Sequence, residues 1–390
     1  MSAAAGSRLW TVPYVVTVSA TSLVFVAVGI TIPLLPFVVT DTFDGTELAV
    51  GLVFGASAVS AIICRPALGL LGDLRGRRLL LVVGTLVAAT GLYGHLLADN
   101  VSGLVIARLT LGLGQAGVMV AATTLALDLA PAGRRGEASS YLFIAVNGGL
   151  GTGPAIGQAL SRLGDDVPWY GAAGGCVLAG LLGLALPRLR RAATGDVVAR
   201  VPASYGVALR TGALAGLGTL GFAGFLAFVP LYAEEIDLAA TSAVFLLASG
   251  TVVAVRLLAA KVPDRYGARR VARLSFSVLV VGFVLMALWP SVVGLLLGTV
   301  VMATGLSLVV PSLVLQATAD VSEGEETRRM STFTVFLDLA AALGPSTLGI
   351  VASQTSYQHA FLVCAAAAAL GLVLLLRWVP AQPRCLTPAT

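Results

Sequence analysis

The sequence predicts an all-α integral membrane protein whose twelve spanning helices form two pseudo-symmetric six-helix bundles. Three observations carry this prediction. Of 390 residues, 57% are hydrophobic and 11% are charged, against about 25% charged in an ordinary soluble domain. Apolar runs of about 20 residues, the length at which a helix crosses the hydrocarbon core, recur along the chain. The chain also repeats itself. Arg65 and Arg256, Asp73 and Asp264, Gly76 and Gly267, Arg78 and Arg269, and Gly114 and Gly305 are each 191 positions apart, as are the pairs Gly153-Pro154 and Gly344-Pro345. Helices are the economical reading, because lipid leaves no backbone group free and the segments are too long for barrel strands.

The first span covers 12–39. It is too long for a signal peptide, no small-residue cleavage pattern follows, and Pro33 and Pro36 interrupt its end. Spans two to four follow at 48–72, 79–98 and 104–127. Asn100-Val-Ser102 between spans three and four matches a glycosylation acceptor, but the loop is only a few residues long, so the match reads as chance. Spans five and six, at 138–160 and 168–186, are rich in glycine, as suits close helix packing in lipid. The stretch 187–209 reads as a linker between an N-terminal bundle, 1–186, and a C-terminal bundle, 210–390. Spans seven to twelve are expected at 210–232, 240–261, 272–289, 291–316, 331–353 and 357–377.

Charge orients this arrangement. Alternate connections carry almost all the basic residues outside the spans: Arg75, Arg77 and Arg78; Arg134 and Arg135; Arg188, Arg190, Arg191 and Arg200; Lys261, Arg265, Arg269 and Arg270; Arg328 and Arg329. The opposite connections hold Arg162 and are otherwise acidic, with Asp41, Asp44, Glu47, Asp99, Asp165, Asp166, Glu234, Glu235 and Asp237. The positive-inside rule then puts both termini in the cytoplasm of a multi-pass cell-membrane protein. The net charge of +5 reflects this topology, and no basic, aromatic-interleaved surface for nucleic acid is present. Cys64, Cys176, Cys364 and Cys385 form no CxxC and read as small packing residues.

Gly69-Leu70-Leu71-Gly72-Asp73-Leu74-Arg75-Gly76-Arg77-Arg78 resembles the signature loop between the second and third helices of the major facilitator superfamily. Leu74 replaces the usual arginine, and Arg75 follows one place late. The second half keeps Asp264-Arg265-Tyr266-Gly267 with Ala260 and Ala268 at the outer positions, a degenerate copy. Arg108-Leu109-Thr110-Leu111-Gly112-Leu113-Gly114 is similar to the family's fourth-helix motif, whose arginine is associated with proton coupling. Gly149 to Gly157 resembles the glycine-proline motif of proton-driven exporters, with Gln158 and Ser140 where glycines are usual. A kinked, closely packed helix is the plainer explanation of that stretch.

The resemblance covers the whole chain and implies the major facilitator fold, with helix two of one half against helix eleven of the other and helix five against helix eight. Charges inside spans cost about 2.5–3.5 kcal/mol each on insertion scales unless paired or wet. Arg65 lies eight residues before Asp73, about 12 Å along the helix from the loop. Asp338 lies nine residues after Arg329 and so at similar depth. Arg65 should therefore face Asp338 across one seam, and Arg256 should face Asn147 across the other. Snorkelling of each arginine to the headgroups is the alternative. Asp73 should hold the cytoplasmic closure, by capping span eleven or by meeting nearby arginines, with the Arg65–Asp338 seam part of that closure. Asp128 reads as an interfacial carboxylate, and it and Arg108 rival Asp338 as the coupling site. His95 reads as a packing or interface residue.

The resemblance further implies a substrate chamber lined by spans 1, 4, 7 and 10, for which Gln115, Phe225, Thr304 and Ser307 are the candidates. Phe222, Phe225 and Phe228 form a helical stripe that lines the cavity or packs against lipid. The expected function is proton-coupled export of a small amphiphilic or hydrophobic compound by alternating access, with import or facilitated diffusion of a small metabolite as the alternative. Expected partners are the small-molecule substrate, protons and lipid, with the chain acting as a monomer. No cofactor or metal is expected. A membrane enzyme fits poorly, because His95 and His359 are far apart and no GxSxG or phosphate loop is present. A receptor on this scaffold would usually carry a signalling domain or long loops.

Overall fold

A computed structural model describes residues 9–131, 134–187, 205–238, 240–259, 262–318 and 323–378. Every regular element among them is helical. The spanning helices are α1 (Val12–Thr31), α2 (Glu47–Arg75), α3 (Arg77–Gly94), α4 (Val101–Leu129), α5 (Arg135–Ser161), α6 (Val167–Gly183), α7 (Tyr205–Glu235), α8 (Thr241–Ala259), α9 (Ala268–Leu288), α10 (Val292–Ala317), α11 (Glu323–Gln354) and α12 (Tyr357–Trp378). Ten of these are long and apolar enough to cross a bilayer; α6 is an apolar helix of 17 residues, and α5 is the remaining one. All twelve expected spans are thus helices. Most of the expected linker, and the side chain of Asp264, lie outside the described residues.

Local sequence sets the helix ends. The Asn100 side chain accepts the Gly103 N–H at 2.9 Å, and Ser291, 191 positions on, accepts the Gly294 N–H at 3.1 Å. The apparent glycosylation signal is a helix cap. Gly76 and Gly267 turn the chain between helices at φ of +94° and +89°, a backbone region in which glycine avoids the steric cost of a side chain. Arg78 then donates to the Leu184 carbonyl at the end of α6, and Arg269 to the Leu376 carbonyl near the end of α12, where cations satisfy the last carbonyls. At the start of α5, Arg134 hydrogen-bonds Glu137 at 2.7 Å.

Packing repeats with the same offset. A Cβ on Gly91 would lie 2.5 Å from Leu111 N, and one on Gly282 would lie 2.5 Å from Met302 N. Only glycine permits α3 to touch α4, and α9 to touch α10, this closely. One hydrophobic cluster lies wholly within α1–α6 and the residues flanking them, centred on Val24, Leu81, Leu111 and Val118. The other fills α7–α12 but also takes in Ile32, Leu35, Val39, Val50, Val53, Leu104 and Trp169. Those seven belong to the end of the molecule that carries the acidic connections, so the halves share apolar core there.

Candidate functional site

The halves meet along two seams, α2 against α11 and α5 against α8. Toward the acidic face both seams are tight. A Cβ on Gly55 would fall 2.6 Å from the Ala342 carbonyl, and Ser346 Oγ donates to the Gly51 carbonyl at 3.3 Å. In the second seam Gly151 abuts the Ser249 side chain, and Ser242 Oγ donates to Gln158 Oε1 at 2.5 Å. The departure at Gln158 from the exporter-like motif therefore has a structural use, as a polar clasp between the halves.

Helical spacing carries these faces toward the basic side. Gly51, Gly55 and Arg65 lie on one face of α2, and Pro345, Ala342 and Asp338 on one face of α11. The expected pair forms: Arg65 meets Asp338 at 2.5 and 3.0 Å, with side chains 35% and 20% exposed. One turn beyond Arg65, Gly69 has no atom within 4 Å of a side-chain position, so the seam has already parted. The pair sits at the fork where the halves diverge. It was expected to close the basic side, yet it is intact with that side open. A two-point ion pair at the fork spans a gap that backbone packing beyond it no longer fills.

The second seam forks the same way. Gly151 and Asn147 share a face of α5, Ser249 and Arg256 share a face of α8, and Gly148 faces open space. The expected Arg256–Asn147 contact is absent. Asn147 donates to the Phe143 carbonyl of its own helix, and Arg256 is half-buried, with its Nε buried and without a partner among the described residues. The reason is distance along diverging helices, since Arg256 lies two turns past the last tight contact.

The signature loop differs from expectation in its partners. Asp73 does not cap α11 in this structure; it is 70% exposed and reaches Arg77 at 3.9 Å. Arg77 is buried and makes an ion pair with Asp128 at the end of α4. Sequence reasoning took Asp128 for an unremarkable interfacial carboxylate, and with 51 positions between the two no local pattern links it to Arg77. Gly76 makes the turn into α3 with nothing beside it.

Near the acidic end, Arg108 is 3% exposed, lies 5.1 Å from the centre of the Phe54 ring, and leaves Nε and one terminal nitrogen without hydrogen bonds. The ring face supplies the attraction a carboxylate would otherwise give. Snorkelling does not describe this burial. His95 stacks on Trp169 with centroids 4.8 Å apart and bonds the Gly91 carbonyl through Nδ1, in keeping with a packing role.

The chamber candidates fare unevenly. Gln115 lies two turns from Arg108 on the same face of α4 and is half-buried. Phe225 is fully buried in the core of the second half, so it packs instead of lining a cavity. Ser307 is fully buried and bonded to the Ala303 carbonyl of its own helix. Thr304 lines a cavity of about 340 Å³ between α9, α10 and residues 262–266, away from both seams. A larger cavity of about 520 Å³ opens on the acidic face, lined by Pro33, Pro154, Gln158, Glu234, Asp237 and Ser242. Among the described residues no cluster of ligating side chains could hold a metal.

The sequence model of the Major Facilitator Superfamily matches residues 17–318 and 211–387. An uncharacterised MFS-type transporter of Salmonella typhimurium is 29% identical over 366 residues, covering 89% of this chain and 91% of the relative. One from Burkholderia mallei is 28% identical over 384 residues, covering 93% and 91%. Among solved structures, a mutant of the nucleoside transporter NupG superposes with a TM-score of 0.77 at 14% identity, over 94% of this chain and all of the other. An inward-facing bacterial homologue of the human lysosomal transporter Spinster gives 0.78 at 13% identity, over 94% and 96%. At those identities the likeness is one of fold.

Proposed function

The chain belongs to the major facilitator superfamily, and from that premise we propose that it is a proton-coupled exporter of a small amphiphilic compound, working by alternating access. It is a membrane transporter and not an enzyme. The observation that carries the proposal is the Arg65–Asp338 pair, a carboxylate and its counter-charge contributed by opposite halves at the fork between them.

The basic connections face the cytoplasm in this reading. The open fork then admits cargo from inside, while Gly51, Gly55, Gln158 and Ser242 seal the outer side. Solvent reaches Asp338 through its exposed fifth, so its proton exchanges with the cytoplasm in this state. A proton on Asp338 removes the charge that Arg65 meets and so weights the two access states differently, which is the condition for coupling. When the basic side shuts, Asp73 is the group set to meet the N-terminal end of α11, where the helix dipole favours an anion. The resemblance of Gly149–Gly157 to the exporter motif supports the outward direction.

The test is Asp338→Asn in sealed proteoliposomes. The variant should lose accumulation driven by a pH gradient while keeping downhill exchange. A variant that still concentrates substrate with the proton gradient would place coupling elsewhere, with Arg108 and Asp128 the next positions to change. Wild-type uptake along with protons, in place of efflux against them, would make the protein an importer.

A further inference from the structure

We propose that the cargo is an organic anion whose carboxylate binds Arg256 and Asn147, an inference that rests on the transporter reading above and names its substrate class. The two seams are copies of each other. Gly51 corresponds to Ser242, Gly151 to Ala342, Gln158 to Gly349, Arg65 to Arg256 and Asn147 to Asp338, each 191 positions apart. In the first seam the arginine finds its carboxylate within the protein, at 2.5 Å. In the second seam the same place holds an asparagine, and the arginine has no counter-charge among the described residues.

A guanidinium without a counter-charge is costly at membrane depth. Arg256 is placed where that cost serves binding. It stands on the seam face of α8, eight residues before Asp264 as Arg65 stands before Asp73, and past the point where the halves part. Arg256 keeps part of its surface exposed there. Asn147 keeps an amide at the position of the missing carboxylate but adds no negative charge. A planar carboxylate there would recreate the geometry of the first seam, with Arg256 donating in a two-point contact. The adjoining apolar helix surfaces suit the remainder of an amphiphile. Arg108 lies over the Phe54 ring, and Arg269, whose Nε is likewise buried and unbonded, donates to the Leu376 carbonyl, away from the seam face, so Arg256 is the assignment.

The experiment uses the full chain in nanodiscs of neutral phosphatidylcholine and three probes that share one ring: benzoate, benzyl alcohol and benzylamine. The reading is the shift in thermal unfolding with probe concentration. Benzoate alone should stabilise the wild type saturably. Arg256→Gln should weaken that response about tenfold or more, as loss of a charged hydrogen bond does, while Arg256→Lys should retain part of it. Asn147→Asp supplies an internal carboxylate and should suppress benzoate binding while raising the unfolding temperature without ligand. A response that benzyl alcohol reproduces, that chloride at equal concentration reproduces, or that survives both Arg256→Gln and Asn147→Asp would overturn the assignment. The transporter reading is checked separately, by electron–electron distances between spin labels at Leu74→Cys and Leu258→Cys, exposed positions in opposite halves. Distances that change with pH but no benzoate response would sink the anion alone. Distances fixed under every condition would sink alternating access.

Discussion

Asp73 and Asp128 share the buried guanidinium of Arg77, and they do so unequally. Asp128 makes the close ion pair and is 33% exposed, whereas Asp73 lies 3.9 Å away and is 70% exposed. Stability and transport should therefore separate between them. Removing the Asp128 charge takes the close counter-ion from a largely buried cation, so Asp128→Asn should cost about 1–3 kcal/mol of stability. Asp73→Asn should cost less than about 1 kcal/mol, as an exposed pair does, yet abolish transport if, as proposed, Asp73 meets α11 when the basic side shuts. Thermal unfolding and proteoliposome flux, measured on both variants, check this; equal stability losses would show that Asp73 is structural. The signature loop was legible from its residues alone. The partner of Arg77 was not, because a contact across 51 positions leaves no trace in local spacing. The pairing of Arg65 with Asp338 was legible only because depth could be counted from both helix ends and the charges were opposite.

At the scale of helices, hydropathy located every span but misjudged ends where chemistry other than burial decides. The first span was expected to run through residue 39; instead α1 stops at Thr31, and the chain resumes in short helical turns at Leu35–Phe37 and Val38–Thr42. Pro33 and Pro36 lack the N–H groups an unbroken helix needs. The eleventh span was expected from residue 331, whereas α11 begins at Glu323. Its first turns are charged, so a scale that scores only lipid solubility ends the helix early, although nothing in Glu, Arg or Thr forbids one. The glycines that set helix contact were visible, but which neighbour each meets was not. Gly55 is the instructive case, since a Cβ there would press on the Ala342 carbonyl at 2.6 Å. Gly55→Val should keep the outer seam from closing and shift the population toward the state with the basic side shut. Spin-label distances between Leu74→Cys and Leu258→Cys should shorten in that background. An unchanged distribution would mean that the outer seam tolerates the added bulk and does not control the equilibrium.

For the molecule as a whole, the offset of 191 residues forecast two similarly oriented halves, and caps, turns and helix contacts reproduce it from Asn100 and Ser291 to Gly91 and Gly282. The sequence held no sign of which side would be open. A transporter needs one set of residues to satisfy two arrangements, and seam faces read from helical spacing suit both equally. The packed Gly55 and the unpacked Gly69, on one face of α2, distinguish the closed face from the open one. Orientation rests on a separate argument, the crowding of arginine on one set of connections, and it can be tested together with the open side. In a background with Cys64, Cys176, Cys364 and Cys385 changed to serine, Gly69→Cys lies in the open fork, and Gln158→Cys lies in the cavity of the acidic face. A membrane-impermeant maleimide should label Gly69→Cys in inside-out vesicles and Gln158→Cys in right-side-out ones. Asn147→Asp, which adds the missing seam carboxylate, should slow labelling of Gly69→Cys by drawing the second seam together. Labelling of Gly69→Cys from outside only would invert the molecule in the membrane, and with it the proposed direction of transport.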